Sequence, residues 1–282
     1  MRWNPLMGLI VAVVMAAMAY GAIRATRPVL LRLRHAPLVS TVGRRGRAGW
    51  EWLTARATTQ ALILAAGAAT VFMLGSIFVE ILDAVVDQDD LTVVDRPVVQ
   101  WLAERRMPGL TSVQVAITDM GGILTMSILL LLTVTLVSFR ARRWQPLLLT
   151  VVAVGGIQLL VYTIKVLIAR DRPNPAGQLV AVGGFSFPSG HAAGSLVGFA
   201  MIAWLICTLT DRRNVWATAW LTALLMAVAV GASRVYLGVH YPSDVLGGWV
   251  LGMTWLATVA VAVRIWPTKP VGGGAPREPV GG

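Results

Sequence analysis

Two histidines, three cations and one aspartate in this sequence fall into short clusters whose spacing suits phosphoryl chemistry. In "SRVYLGVHYPSD" (233–244), His240 and Asp244 stand four residues apart, so the two side chains can meet across one helical turn at the start Pro242 suggests. A carboxylate on one imidazole nitrogen fixes the tautomer and leaves the other nitrogen as base or nucleophile. Arg234, just before, carries a planar donor fork suited to phosphate oxygens. The same spacing also allows Asp244 simply to cap a helix while His240 lies at a membrane interface.

The second cluster is "GGFSFPSGH" (183–191). Pro188 suits a first helical turn, and the backbone N–H groups of Ser189, Gly190 and His191 would then lack intrahelical partners, as at an anion-binding helix N-terminus. Gly190 lets a ligand approach the backbone. An ordinary capped helix start explains the stretch equally well. The third cluster is "KVLIARDRP" (165–173). If a helix continues through it, Lys165 and Arg172 project from nearly one face, and Pro173 ends it. A collar of interfacial cations is the alternative. Arg170 and Asp171 receive no role.

These clusters stand out because the rest of the chain avoids charge. Of 282 residues, 56% are hydrophobic and 13% charged, about half the charge of an average soluble domain. Seven stretches approach the roughly 20 apolar residues that cross a bilayer: 5–23, 58–81, 114–138, 147–165, 192–209, 215–234 and 245–263. The first is expected to be an uncleaved span, because its positive charge follows the apolar run. The net charge of +11 is mostly arginine, clustered between apolar runs without an aromatic–basic surface, and therefore reads as a topology signal and excludes nucleic acid as a partner. Segment 24–56 holds eight Arg against Glu51, and loops 139–146 and 210–214 and the tail are also basic; loop 82–113 is acidic. Alternating spans put every basic segment in the cytoplasm and all three clusters outside, with the N-terminus outside and the C-terminus inside. Cys207 is the lone cysteine, so no disulfide framework or cysteine metal site is expected.

A charge at the bilayer centre costs about 2.5–3.5 kcal/mol on the mildest scale. Gathering Lys165, Arg172, Arg234, His191 and His240 on one outer face therefore suggests a pocket for a tetrahedral dianion, with a nucleophile and an acid beside it.

The order Lys-x6-Arg-Pro (Lys165, Arg172, Pro173), Pro-Ser-Gly-His (188–191) and Ser-Arg-x5-His-x3-Asp (233–244) resembles the three-part signature of the type-2 phosphatidic acid phosphatase superfamily. Vanadium haloperoxidases and soluble bacterial acid phosphatases share that superfamily. The resemblance covers about residues 57–263. It implies an all-α, polytopic membrane helix bundle: a six-helix phosphatase core at 57–263, preceded by an extra transmembrane helix and Arg-rich loop in 1–56 and followed by a disordered tail, 264–282. It implies that His240 attacks phosphorus, Asp244 orients it and His191 protonates the leaving oxygen. Lys165, Arg172, Ser189, Gly190 and Arg234 would hold the phosphoryl oxygens, with no metal or other cofactor. The membrane setting points to lipid phosphates as partners: phosphatidic acid, phosphatidylglycerol phosphate or a polyprenyl diphosphate, met on the outer face of a plasma membrane. A lipid phosphotransferase and a non-enzymatic transporter of anionic lipids are the competing readings. Asp119, in "TDMGG", is expected at the start of the third span without a catalytic role.

Overall fold

The computed structural model describes residues 44–174 and 177–265. All regular elements among them are helical: α1 (Arg44–Asp87), a 3-10 turn (Asp90–Val94), α2 (Asp95–Glu104), α3 (Pro108–Met120), α4 (Ile123–Ala141), α5 (Gln145–Ile168), α6 (Gly190–Cys207), α7 (Arg213–Tyr236) and α8 (Pro242–Ile265). Six of these elements supply segments long and apolar enough to span a bilayer: Thr59–Asp87 within α1, and the whole of α4 to α8. The expected first span and tail lie outside the described residues. The described residues divide into two units, 65–259 and a second that takes in 44–64 and 260–265. The described part of the second unit is helical. All site residues lie in the first.

Three boundaries differ from the sequence expectation. The Arg-rich stretch 44–56, expected as loop, is already helix, because nothing between Arg44 and Asp87 breaks helical propensity strongly enough to interrupt α1. The expected third span, 114–138, is two helices. α3 ends at Gly121–Gly122, a pair of poor helix formers, so Asp119 closes α3 instead of opening a span. The fourth span stops at Ile168, five residues before Pro173, where Ala169 turns into the left-handed region (φ 50°).

α6 is the central helix. About three-fifths of it is buried against other helices, compared with roughly a tenth to a quarter for the other spans. Its small residues make this possible: a Cβ on Gly194 would come within 2.7 Å of the Gln158 amide nitrogen. Small residues let backbones approach where no hydrophobic drive between helices exists in lipid. The same device joins α8 to α6. A Cβ on Gly248 would stand 2.7 Å from the Ser189 carbonyl and 3.1 Å from Ala192 Cβ. Two indole N–H groups fix α8 further, Trp255 donating to the Ala153 carbonyl of α5 (2.8 Å) and Trp249 to that of Ala227 in α7 (3.2 Å). Beneath the polar ends, Ala192, Val235 and Val245 form an apolar cluster joined by Val98, Val99 and Leu102 of α2. That packing sets α2 against the site.

Candidate active site

The C-terminal ends of α5 and α7 and the N-terminal ends of α6 and α8 lie at one end of the bundle, and their loops interlock. His240 follows α7 through a turn in which Gly238 takes φ 73°. A Cβ there would meet the Gly177 carbonyl and the Arg106 guanidinium, so no other residue fits the turn. His240 is 2% exposed and Asp244 fully buried. His240 Nδ1 lies 3.3 Å from Asp244 Oδ2, and its Nε2 lies 3.2 Å from Arg172 Nη1. Since guanidinium only donates, Nε2 must accept and Nδ1 must carry the proton. This tautomer presents a lone pair on Nε2. Burial pushes the His240 pKa down to about 4, against the partial opposition of Asp244, so the ring is neutral at pH 7.

Asp244 both caps and orients. Its Oδ2 accepts the Tyr241 backbone N–H (2.8 Å), closing the first turn of α8, and also accepts the Ser186 hydroxyl. Asp244 therefore caps α8 and contacts the His240 ring at once.

The cations converge by loop geometry instead of helical register. With α5 ended at Ile168, Lys165 and Arg172 converge on the same loop, 183–186. Lys165 Nζ donates to the carbonyls of Phe185 (2.5 Å) and Ser186 (2.9 Å), and Arg172 to those of Gly183 (3.1 Å), Gly184 (2.9 Å) and Val239 (2.7 Å). Arg234 is buried, with Nη1 on the Thr118 hydroxyl (2.8 Å) and Nε without a partner among the described residues. His191, half-buried on the first turn of α6, lies within electrostatic range of Arg234, His240, Arg172 and Lys165.

Ser189 departs from expectation in two ways. Pro188 precedes the helix, and Ser189 is its N-cap, the hydroxyl accepting from Ala192 N–H (3.4 Å). The Ser189 N–H is not free, since it donates to the Asp244 carbonyl (2.9 Å) and ties α6 to α8. The N–H groups of Gly190 and His191 have no partner among the described residues and remain the available pair. A Cβ on Gly190 would touch only Val161, at 3.5 Å.

Sequence reasoning missed the deepest ion pairs. Arg170 Nη1 donates to Asp244 Oδ1 (2.6 Å) and Ser243 Oγ (2.8 Å), and its Nη2 to Asp95 Oδ2 (2.7 Å). Arg170 stands two residues from a signature arginine, which was the one local signal available. Asp95 carried none, being one acid among several in loop 82–113.

The known proteins most relevant to this geometry are membrane phosphatases. The family model of the PAP2 superfamily matches residues 146–267. Phosphatidylglycerophosphatase B of Bacillus subtilis is 34% identical over 181 residues, covering 63% of this chain and 87% of that protein. The chain belongs to the PAP2 superfamily. The crystal structure of a transmembrane PAP2 type phosphatidylglycerolphosphate phosphatase from Bacillus subtilis superposes with a TM-score of 0.63 at 30% identity, covering 68% of this chain and 94% of that one. An undecaprenyl-diphosphatase of Sulfolobus acidocaldarius is 39% identical over 80 residues, 28% of this chain and 34% of that protein. As a PAP2 protein with six apolar helices, the chain is a multi-pass membrane phosphatase.

Proposed function

We propose that this PAP2 enzyme hydrolyses lipid phosphates through a phosphohistidine on His240. The observation that carries the reading is the couple His240–Asp244, which holds a neutral imidazole with its Nε2 lone pair beside Arg172. Nε2 attacks phosphorus, the bond from phosphorus to the lipid oxygen breaks, and that oxygen takes a proton from His191. Water then attacks phosphorus, His191 accepts the proton of the water, and the N–P bond breaks to release phosphate. Lys165, Arg172 and Arg234, with the amides of Gly190 and His191, bear on the oxygens whose charge grows in the transition state. Ser189 supports this N-terminus through its hydroxyl cap and its bond to Asp244.

The positive charge comes from side chains, so no metal is required by the scheme. The relatives act on phosphatidylglycerol phosphate and undecaprenyl diphosphate by name, and a headgroup held in a leaflet reaches helix ends more readily than a soluble ester. The basic segments Arg140–Arg143 and Arg212–Arg213 lie at the helix ends opposite the site, which supports a cytoplasmic face there and an outward-facing site in a plasma membrane.

The test is phosphate release by the purified chain from phosphatidic acid, phosphatidylglycerol phosphate and a polyprenyl diphosphate, with and without EDTA. Hydrolysis unaffected by EDTA and abolished in a folded His240→Ala variant is expected. Activity surviving His240→Ala would overturn the reading. Transfer of labelled phosphate to an added lipid alcohol, in place of release, would convert it to a phosphotransferase.

A further inference from the structure

We propose that Asp95 and Arg170 form a positioning relay that holds the Asp244–His240 couple in register, so that α2, a helix outside the spans, sets the acid limit of the reaction. The inference rests on His240 being the nucleophile and extends to residues that lie outside the three-part signature.

The relay is built from two buried carboxylates bridged by one guanidinium. Asp244 divides its oxygens: Oδ2 serves Ser186, the Tyr241 N–H and His240, while Oδ1 is engaged by Arg170. With Arg170 gone, Oδ1 would lose its guanidinium partner inside a fully buried group, while Ser186, the Tyr241 N–H and His240 still hold Oδ2, so the carboxylate stays beside the imidazole with its charge less balanced. Arg170 is itself held from three directions. Asp95 takes Nη2, Ser243 takes Nη1, and the Tyr241 ring lies beneath the guanidinium carbon at 4.5 Å. Asp95 completes the circuit by accepting the Ser243 N–H (3.0 Å) and the Ser243 hydroxyl, both in the first turn of α8. Burial works against the Arg170 charge, yet Asp244 and Asp95 more than offset it, and the pKa is raised.

The charges around His240 give the relay a sign. Asp244 on α8 favours the protonated ring. Arg172 in the loop after α5 and Lys165 on α5 oppose it, His191 on α6 faces it, and Arg234 on α7 stands beyond His191. Arg170 tempers Asp244 from behind, and Asp95 tempers Arg170. Removing the arginine leaves Asp244 less balanced, so His240 holds its proton more tightly. Removing the Asp95 charge leaves Arg170 less balanced, so His240 loses its proton more easily. A staple with no catalytic connection would not move the two variants in opposite directions.

The experiment reads the His240 titration in Arg170→Gln and Asp95→Asn full-length protein. The readouts are the acid limb of kcat/KM on short-chain phosphatidic acid and the NMR shift of histidine-labelled protein, in which only three imidazoles must be resolved. The limb position does not depend on how much of the sample is folded, and the NMR titration does not depend on activity. Arg170→Gln is expected to raise the midpoint by on the order of one pH unit and Asp95→Asn to lower it, as a unit charge at this range implies. In both, kcat should fall with KM little changed, and Arg170→Lys should restore most of the shift. Asp95→Asn is isosteric, so its downward shift alone carries the test if Arg170→Gln does not fold. Unmoved midpoints, or shifts in the same direction, overturn the relay. Activity in His240→Ala would instead remove the nucleophile on which it rests, so the two failures are distinguishable.

Discussion

His240 combines two properties that rarely coexist: it is buried beside a carboxylate, yet it is neutral at physiological pH. Burial lowers its pKa from the ordinary 6.5 to about 4, and Asp244 recovers only part of the loss. The consequence for activity has a definite sign. A histidine of ordinary pKa would be about nine-tenths protonated at pH 5.5 and mostly unable to attack. Here the imidazole is half protonated only at about pH 4, so the proposed nucleophile stays available well below pH 5.5. The kcat/KM profile, corrected for ionisation of the substrate, should therefore hold between pH 7 and 5.5; a tenfold fall across that interval would show that the nucleophile titrates near its normal value. The signature residues His191, His240, Asp244, Lys165, Arg172 and Arg234 were legible in sequence because their types and spacing are unusual in an apolar chain. Asp95 was not, because its partners lie 75 and 148 residues away and such a contact leaves no local pattern.

Among the elements, α6 and α8 decide whether that chemistry is assembled. Gly248 lets the start of α8 lie against the Ser189 carbonyl and Ala192, and the Ser189 N–H to Asp244 carbonyl bond depends on that approach. Gly248→Ala forces backbone and Cβ contacts closer than side chains tolerate, a strain of about 1–3 kcal/mol. It should lower the thermal unfolding midpoint and reduce kcat more than it raises KM; a variant as stable and active as the parent would show that the helices are not in close contact there. The helices themselves were readable from apolar length, but two of their ends were not. The break at Gly121–Gly122 hides inside a continuous apolar run, where glycine is as ordinary as alanine in membrane helices. The end of α5 at Ala169 precedes the proline that sequence reading takes as the stop, because Arg170 leaves the helix to reach Asp95 and Asp244.

At the scale of the whole unit Ala65–Val259, charge separates by end: arginines lie around the α4–α5 and α6–α7 turns, and the candidate site with Asp95 and Asp244 lies at the other end. With Cys207 replaced by serine, Gln88→Cys at the end that carries the candidate site and Arg142→Cys at the other report orientation. A membrane-impermeant maleimide on intact cells should label position 88 and spare position 142; the reverse would turn the site toward the cytoplasm and change which leaflet supplies the lipid. Six of the seven expected apolar spans were legible from hydropathy alone. The loops that bind Lys165 and Arg172 to backbone carbonyls were not, since a carbonyl acceptor is the same at every residue.

The most direct measurement is to trap the covalent intermediate. His191→Ala, which removes the group proposed to activate water, is mixed with a labelled aryl phosphate, whose leaving group departs without the proton His191 is proposed to supply, then quenched in alkali and digested, and the labelled peptide is identified by mass spectrometry. An acid-labile, alkali-stable phosphoryl group on His240, absent from His240→Ala, is the predicted result. Label on another residue, or hydrolysis by the parent enzyme with no phosphoryl-protein in any variant, would contradict it.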